Sequence, residues 1–351
     1  MDVKVVKIKV LGKGCFGVVH LVKTITLVYN QVYAMKSADE DHTPSLRMEE
    51  EIIQQFVDSP NIIQCYGGFT SIERERGMVY NILLEYASGG NLEDLINKYG
   101  GDIPERDVAC YTRMILEGLS SIHRKGYVHS DLKPANILVF PPHGGTGLPN
   151  LKIGDFGIAK EERVKEMGFG FRGSIPYMSP ESILGDVSGA LDVWSLGCVV
   201  VQMMTGNRLP WENYDANDLM NKLLRGETPN IPENMSILGK DFLAKCFDVN
   251  PNRRWSASML LRHPYVIPQH VLPRGLQLSY NSSHSSTYPQ QVCQYGIPQG
   301  FIVYDRVLLE KVKCLEELQS RKMISYRQPQ EQKKGTEYLC NCCKGFRSRN
   351  H

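Results

Sequence analysis

Apolar and polar positions alternate along the first part of the chain. KVVKIKVLG (4–12), GVVHLVKT (17–24), TLVYNQVYAMK (26–36) and MVYNILLEY (78–86) read as strands, by alternation or as short apolar runs. One stretch among them, SLRMEEEIIQQF (45–56), has helical spacing through Leu46, Ile52, Ile53 and Phe56. Past Gly89-Gly90 the period turns helical, in NLEDLINKYG (91–100), ERDVACYTRMILEGLSSIHRKG (105–126) and DVWSLGCVVVQMMTG (192–206). A β-rich first part and a helix-rich second part, joined near residues 85–90, predict an α+β chain of two lobes. The Gly/Pro-rich PPHGGTGLPN (141–150) is a predicted loop between two short apolar strands, NILVF and LKIGDF. After Pro268 the chain turns to Ser, Gln, Tyr and Pro, as in YNSSHSSTYPQQ, and is expected to be a disordered tail, 268–351. A short amphipathic helix is expected within it at 304–318, with Leu308, Val312 and Leu315 on one face.

Composition narrows the class. The chain has 351 residues, 42% hydrophobic and 22% charged, as expected of a soluble globular protein with one large or two moderate domains. No run of about 18 apolar residues predicts a transmembrane helix. MDVKVVKIKV alternates like a strand and has neither the apolar core nor the cleavage site of a secretory signal. The 10 cysteines follow no framework spacing, so reduced thiols and a cytoplasmic location, with the nucleus as a second compartment, are expected. Net charge is +2 and unevenly placed: residues 1–267 carry 28 Lys/Arg against 32 Asp/Glu, and residues 301–351 carry 11 against 6. The first part is therefore not a nucleic-acid binder by charge, and the tail is modestly basic.

The candidate chemistry comes in pieces. Gly12-Lys-Gly14-Cys-Phe-Gly17-Val-Val19 is a G-x-G-x-x-G run, which a dinucleotide site or a plain turn can share. In a dinucleotide site a helix follows the glycines; here GVVHLVKT alternates as a strand. The unit is then a hairpin flap, whose bare backbone N–H groups can lie against phosphate oxygens. Seventeen residues after Val19, Ala34-Met35-Lys36 ends a strand with an ammonium. Glu49, three and four residues before Ile52 and Ile53, is the carboxylate placed to hold it, while Glu50 and Glu51 read as a solvated face. In His129-Ser130-Asp131-Leu132-Lys133-Pro134-Ala135-Asn136, Asp131 can take a proton from an attacking hydroxyl and Lys133 can neutralise a transferring phosphoryl group. Asn136 can bind a metal through its amide oxygen, and Asp155-Phe156-Gly157 adds a carboxylate for Mg²⁺.

These motifs, in this order, resemble a eukaryotic protein kinase over roughly residues 4–267. The likeness continues through Ser179-Pro180-Glu181, Asp192-Val-Trp194-Ser195-Leu-Gly197 and Arg254. It implies the bilobal kinase fold, with an N-lobe of about 4–86 and a C-lobe of about 87–267, and ATP and Mg²⁺ as cofactors. Gly12, Gly14, Gly17, Val19, Ala34, Lys36, Glu85 and Ala87 would bind the nucleotide, with Leu84 as gatekeeper before a hinge from Glu85 to Ala87. Lys36, Glu49, Asp131 and Lys133 would be catalytic, Asn136 and Asp155 would hold metal, and Arg254 would pair with Glu181. Lys133 within D-L-K-P-x-N, and Gly173-Ser174 before the P-E, are similar to the serine/threonine branch. LLEYASGGNLEDLI, HSDLKPANILVF and DVWSLGCVVVQMMTGNRLPW resemble plant mitogen-activated protein kinase kinase kinases of the MEKK-like group. A protein substrate, namely a mitogen-activated protein kinase kinase, is what that likeness implies.

Ser130 stands where the family usually has arginine, and DFGIAKEERVKEMGFGFRG (155–173) contains no Ser, Thr or Tyr. An active enzyme lacking a phosphorylation switch is one reading. A pseudokinase scaffold and a serine/threonine kinase outside the cascade are the others. In the tail, Cys340, Cys342 and Cys343 beside Arg347 and Arg349 fit acylation with membrane contact, a cramped zinc site with His351, or plain free thiols.

Overall fold

The computed structural model describes residues 4–268 apart from 15–16, 26–29, 75, 101–102, 143–146, 163–172, 207 and 212–214. The tail expectations, including the 304–318 helix and the cysteine cluster, lie outside the described residues, as does the tip of the glycine turn. The first lobe is a five-stranded antiparallel sheet in the order β1-β2-β3-β5-β4. Its strands are β1 (Lys4–Gly14), β2 (Gly17–Ile25), β3 (Asn30–Ala38), β4 (Cys65–Glu73) and β5 (Gly77–Leu84). Helix α1 (Thr43–Gln54) crosses it and buries Leu46, Glu49, Ile52 and Ile53. Leu46 joins Ala38, Tyr80 and Ile82 in a core under the sheet. Glu51 is exposed as expected, but Glu50 is half-buried and accepts a hydrogen bond from the Tyr80 hydroxyl. The solvated face therefore narrows to Glu51, because Tyr80 reaches the next carboxylate.

The second lobe is helical. Helix α2 (Leu92–Lys98) starts on Asn91, whose side chain caps Asp94 N while Asp94 returns a bond to the Asn91 backbone. Helix α3 (Glu105–Arg124) follows, then short strands β6 (Tyr127–Val128), β7 (Ile137–Phe140), β8 (Asn150–Ile153) and β9 (Lys160–Glu161). β6 pairs with β9 and β7 with β8, so the two segments expected to bear the catalytic groups hang from two hairpin-like pairs. After α4 (Pro180–Ile183), helix α5 (Gly189–Thr205) buries nearly every residue from Leu191 to Met203 and stops at left-handed Gly206. Trp194 is fully buried, edge-on to Phe247 at 5.2 Å between ring centres. Helices α6 (Ala216–Leu224), α7 (Ile237–Cys246) and α8 (Ala257–Leu260) complete the lobe.

One buried ion pair ties this lobe across its length. Arg254 Nη2 lies 3.0 Å from Glu181 Oε2, its Nη1 also bonds Ala190 O at 2.8 Å, and its Nε bonds Asp248 O at 3.0 Å. Both side chains are almost wholly buried, at 0% and 4% exposure. Such a pair adds little over apolar residues, but removing one partner strands a charge in low dielectric. Arg254→Leu is therefore expected to destabilise the fold by about 3–5 kcal/mol. Urea unfolding monitored by Trp fluorescence measures this, and an unchanged midpoint would contradict the assignment of the pair as structural.

Candidate active site

Strand register puts the groups expected to face a nucleotide in one row. Gly12 is partnered with Val19, and Val19 with Lys36, so the three share a face. Ala34, two residues before Lys36 on β3, shares it too. A Cβ on Gly12 or Gly14 would meet nothing within 4 Å, so internal packing does not explain these glycines. Gly17 differs: at φ +143° its Cβ would lie 2.2 Å from Ser37 O, and the turn requires glycine there.

Lys36 is the centre of the site. Its Nζ bonds both Glu49 oxygens, at 2.9 and 2.7 Å, and Asp155 Oδ1 at 2.7 Å. Burial alone would lower the Lys36 pKa, but the two carboxylates outweigh it and push the pKa well up, so the group stays charged. Partial burial would raise Asp155; the Lys36 charge and hydrogen bond overcome it and hold this carboxyl below its ordinary range. Asp155 sits at φ 60° and Phe156 is fully buried between Phe56 and His129, ring centres 6.0 and 5.1 Å away. The aromatic ring therefore fixes the direction of the neighbouring carboxylate.

The loop 129–136 is pinned from below. Asp192, fully buried at the start of α5, accepts from His129 N and Ser130 N at 2.9 Å each and from His123 Nε2 at 2.9 Å. These bonds hold Ser130 at φ 67°, a left-handed geometry costing a side-chain-bearing residue about 1–2 kcal/mol. Asp131 then projects with both oxygens engaged. Oδ2 accepts from Lys133 Nζ at 2.8 Å and Asn136 Nδ2 at 3.0 Å, and Oδ1 accepts from Ser174 Oγ at 2.9 Å. Lys133 Nζ also donates to Ser174 Oγ at 2.8 Å. The Asn136 amide is oriented through its Nδ2, which leaves its Oδ1 without a partner among the described residues.

At the lobe junction, Glu85 N is already spent on Gln64 O at 3.0 Å, and its side chain pairs with Lys152 Nζ at 2.7 Å. The Glu85 carbonyl and the Ala87 N–H have no backbone partner among the described residues, one acceptor and one donor two residues apart. That is the complement of a purine edge. Asp155, bonded to Lys36, and Asn136, bonded to Asp131, supply a carboxylate and an amide oxygen, hard donors of the kind that suit Mg²⁺.

Three contacts were not read from the sequence: Asp192 under the loop, Ser174 on Asp131, and Lys152 on Glu85. Asp192 carried a signal, a lone carboxylate near the start of an otherwise apolar helix, since a fully buried acid needs donors. Complete burial would raise its pKa, but His123 and the backbone amide of His129 hold it below the ordinary 3.8. A depressed folded pKa contributes stability that is present above the unfolded value and lost as pH falls through the folded one. Asp192→Asn is thus expected to cost about 3 kcal/mol near neutral pH. In urea titrations at a series of pH values the gap to the unaltered chain should hold steady down to about pH 4 and narrow only below it. A gap that widens on acidification would refute the assignment.

The comparisons with known proteins agree with this geometry. A family model described as protein kinase domain matches residues 5–266. Mitogen-activated protein kinase kinase kinase 20 of Arabidopsis thaliana is 40% identical over 266 residues, covering 72% of this chain and 75% of that protein. Mitogen-activated protein kinase kinase kinase 18 of the same plant is 37% identical over 273 residues, covering 74% and 76%. The likeness to mitogen-activated protein kinase kinase kinase YODA, 36% over 279 residues, spans 76% of this chain but 29% of that protein. The chain belongs to the protein kinase family, as a serine/threonine protein kinase resembling plant mitogen-activated protein kinase kinase kinases.

Proposed function

We propose that the chain is a mitogen-activated protein kinase kinase kinase that uses ATP and Mg²⁺ to phosphorylate a mitogen-activated protein kinase kinase. The observation that carries catalytic competence is the Lys36–Glu49–Asp155 cluster, which joins β3, α1 and the metal aspartate in one set of bonds. The names of the relatives carry the choice of substrate. Residues 4–267 are the catalytic domain in this reading, and 268–351 a regulatory tail whose acylation is a secondary possibility. A cytoplasmic location, with some nuclear, belongs to the same proposal.

Each residue then has a task. The flap glycines and Lys36 hold the phosphates, with Val19 and Ala34 against the base and the Glu85 carbonyl and Ala87 N–H on its edge. Asn136 Oδ1 and the second Asp155 oxygen hold Mg²⁺. Bound MgATP supplies the γ-phosphoryl group and neutralises charge on its oxygens. Asp131 orients the substrate hydroxyl and takes its proton. Lys133 offsets the charge that develops on the transferring group. Nothing in this set needs the side chain of residue 130, which supports an active enzyme over a scaffold.

Asp155→Ala and Lys36→Met are each expected to reduce phosphoryl transfer by roughly a thousandfold or more while the protein remains folded by circular dichroism. Retained turnover in folded Asp155→Ala would refute the metal assignment. Substrate class is tested by offering purified mitogen-activated protein kinase kinases beside a serine/threonine peptide array.

A second expectation follows from the segment 155–173. With no hydroxyl in it and Ser130 in place of an arginine, purified enzyme treated with a broad phosphatase should keep its activity once the phosphatase is removed. A loss of tenfold or more, about 1.4 kcal/mol on the barrier, reversed by phosphate on Ser174, would contradict it.

A further inference from the structure

Ser174 begins the loop that leads into the 3-10 turn Ile175–Tyr177, and its hydroxyl is bonded to both groups assigned to the chemistry. It donates to Asp131 Oδ1 at 2.9 Å and accepts from Lys133 Nζ at 2.8 Å. The loop cannot easily withdraw it. A Cβ on Gly173, at φ +95°, would lie 2.7 Å from Ser130 O, so the backbones are already in close approach. Downstream, Ser195 Oγ donates to Tyr177 O at 2.8 Å and the Tyr177 hydroxyl to Gln202 Oε1 at 2.6 Å.

Beside Ser174 is a cavity of about 30 Å³, lined among others by Ser130, Lys160, Ser179 and Asp186. The Oγ atoms of Ser130 and Ser179 are buried and make no hydrogen bond among the described residues. An arginine at position 130 would offer a fixed two-pronged cation to a phosphate here; a serine offers a neutral hydroxyl. Lys160 and Asp186, of opposite charge, both belong to the same lining. A phosphoryl group on Ser174 is therefore placed against Asp131 and Lys133, the two groups its Oγ already bonds.

We propose that Ser174 is an inhibitory phosphorylation site, an inference that rests on the reading of Asp131 and Lys133 as the catalytic pair. A serine kinase using ATP would form the Oγ–P bond as the bond from the γ-phosphorus to the β-phosphate oxygen breaks. ADP leaves, and the Ser174 hydroxyl proton passes to the modifying enzyme's base. The product carries a charge of about −1.5 to −2 at pH 7. It stands against the Asp131 carboxylate, repelling the group that must receive the substrate proton. It also takes Lys133 as its counter-ion, removing that ammonium from the transferring phosphoryl group. Lys36, Glu49 and the hinge are untouched, so nucleotide affinity is preserved.

The test installs phosphoserine genetically at position 174 of the full chain and compares it with the unmodified chain. Transfer to a serine peptide and nucleotide Kd are both measured, before and after phosphatase treatment. Expected are a loss of transfer of a hundredfold or more, a Kd within threefold, and recovery once the phosphate is removed. Transfer within threefold of the unmodified chain, or above it, overturns the proposal, since the phosphate would then be neutral or activating. A loss that dephosphorylation does not reverse, or a parallel loss of nucleotide affinity, overturns it as well. An inert unmodified chain would instead sink the kinase reading on which the proposal rests.

Discussion

One ammonium joins the parts of this site that are farthest apart in sequence. Lys36 on β3 bonds Glu49 on α1, 13 residues on, and Asp155, 119 residues on, across the lobe junction. Burial alone would make the lysine shed its proton, but Glu49 and Asp155 hold it charged; burial still leaves the Glu49 carboxyl above its ordinary range, with Lys36 pulling against it. The cluster therefore exists only when sheet, helix and metal loop are all in register. If α1 rotates away, Glu49 leaves and Lys36 has Asp155 alone as a counter-ion, the carboxylate assigned to the metal. The placement of the helix and the electrostatics of the phosphate site are one constraint.

The second lobe solves a different problem with a single carboxylate. The catalytic loop must present Asp131 from irregular backbone, with Ser130 in a strained left-handed conformation. Asp192 answers by accepting the amides of His129 and Ser130 from within the most buried helix of the lobe. Strain at a functional residue persists only where its surroundings over-determine it. Here two backbone bonds to a fully buried acid, and a facing Gly173 with no Cβ to clash, supply that determination.

What was legible in the sequence follows from this division. Lys36, Asp131, Lys133, Asn136 and Asp155 were readable because phosphoryl transfer demands given residue types at short, fixed spacings. Glu49 was separable from Glu50 and Glu51 by its helical offset from Ile52 and Ile53, although Glu50 also proved to have a partner in Tyr80. Strand β4 was missed: CYGGFTSIE holds two adjacent glycines, and as an edge strand it alternates only between half-buried and exposed. Helix α7 was missed because Gly239 interrupts its pattern; that glycine is there because a Cβ would lie 2.5 Å from Glu105 Oε1. Asp192 and Ser174 were beyond reach for another reason. Their partners lie 62 and 43 residues away, and no local pattern encodes a contact at that separation.

The same contacts resolve what Ser130 means. Residue 130 is used twice in a kinase of the usual kind, once through its backbone and once through an arginine side chain. In this chain the backbone use is intact, since Ser130 N donates to Asp192 as the loop requires. The side-chain use is gone, and the hydroxyl that replaces it bonds nothing among the described residues. The backbone bonds that place Asp131 are thus made with no guanidinium at position 130. The buried Asp192, the left-handed φ and the facing glycine each cost stability or freedom, and together they hold the backbone that presents Asp131. Their presence beside a serine at 130 separates the two roles of one position, with chemistry held by the backbone and control by whatever the side chain can bind.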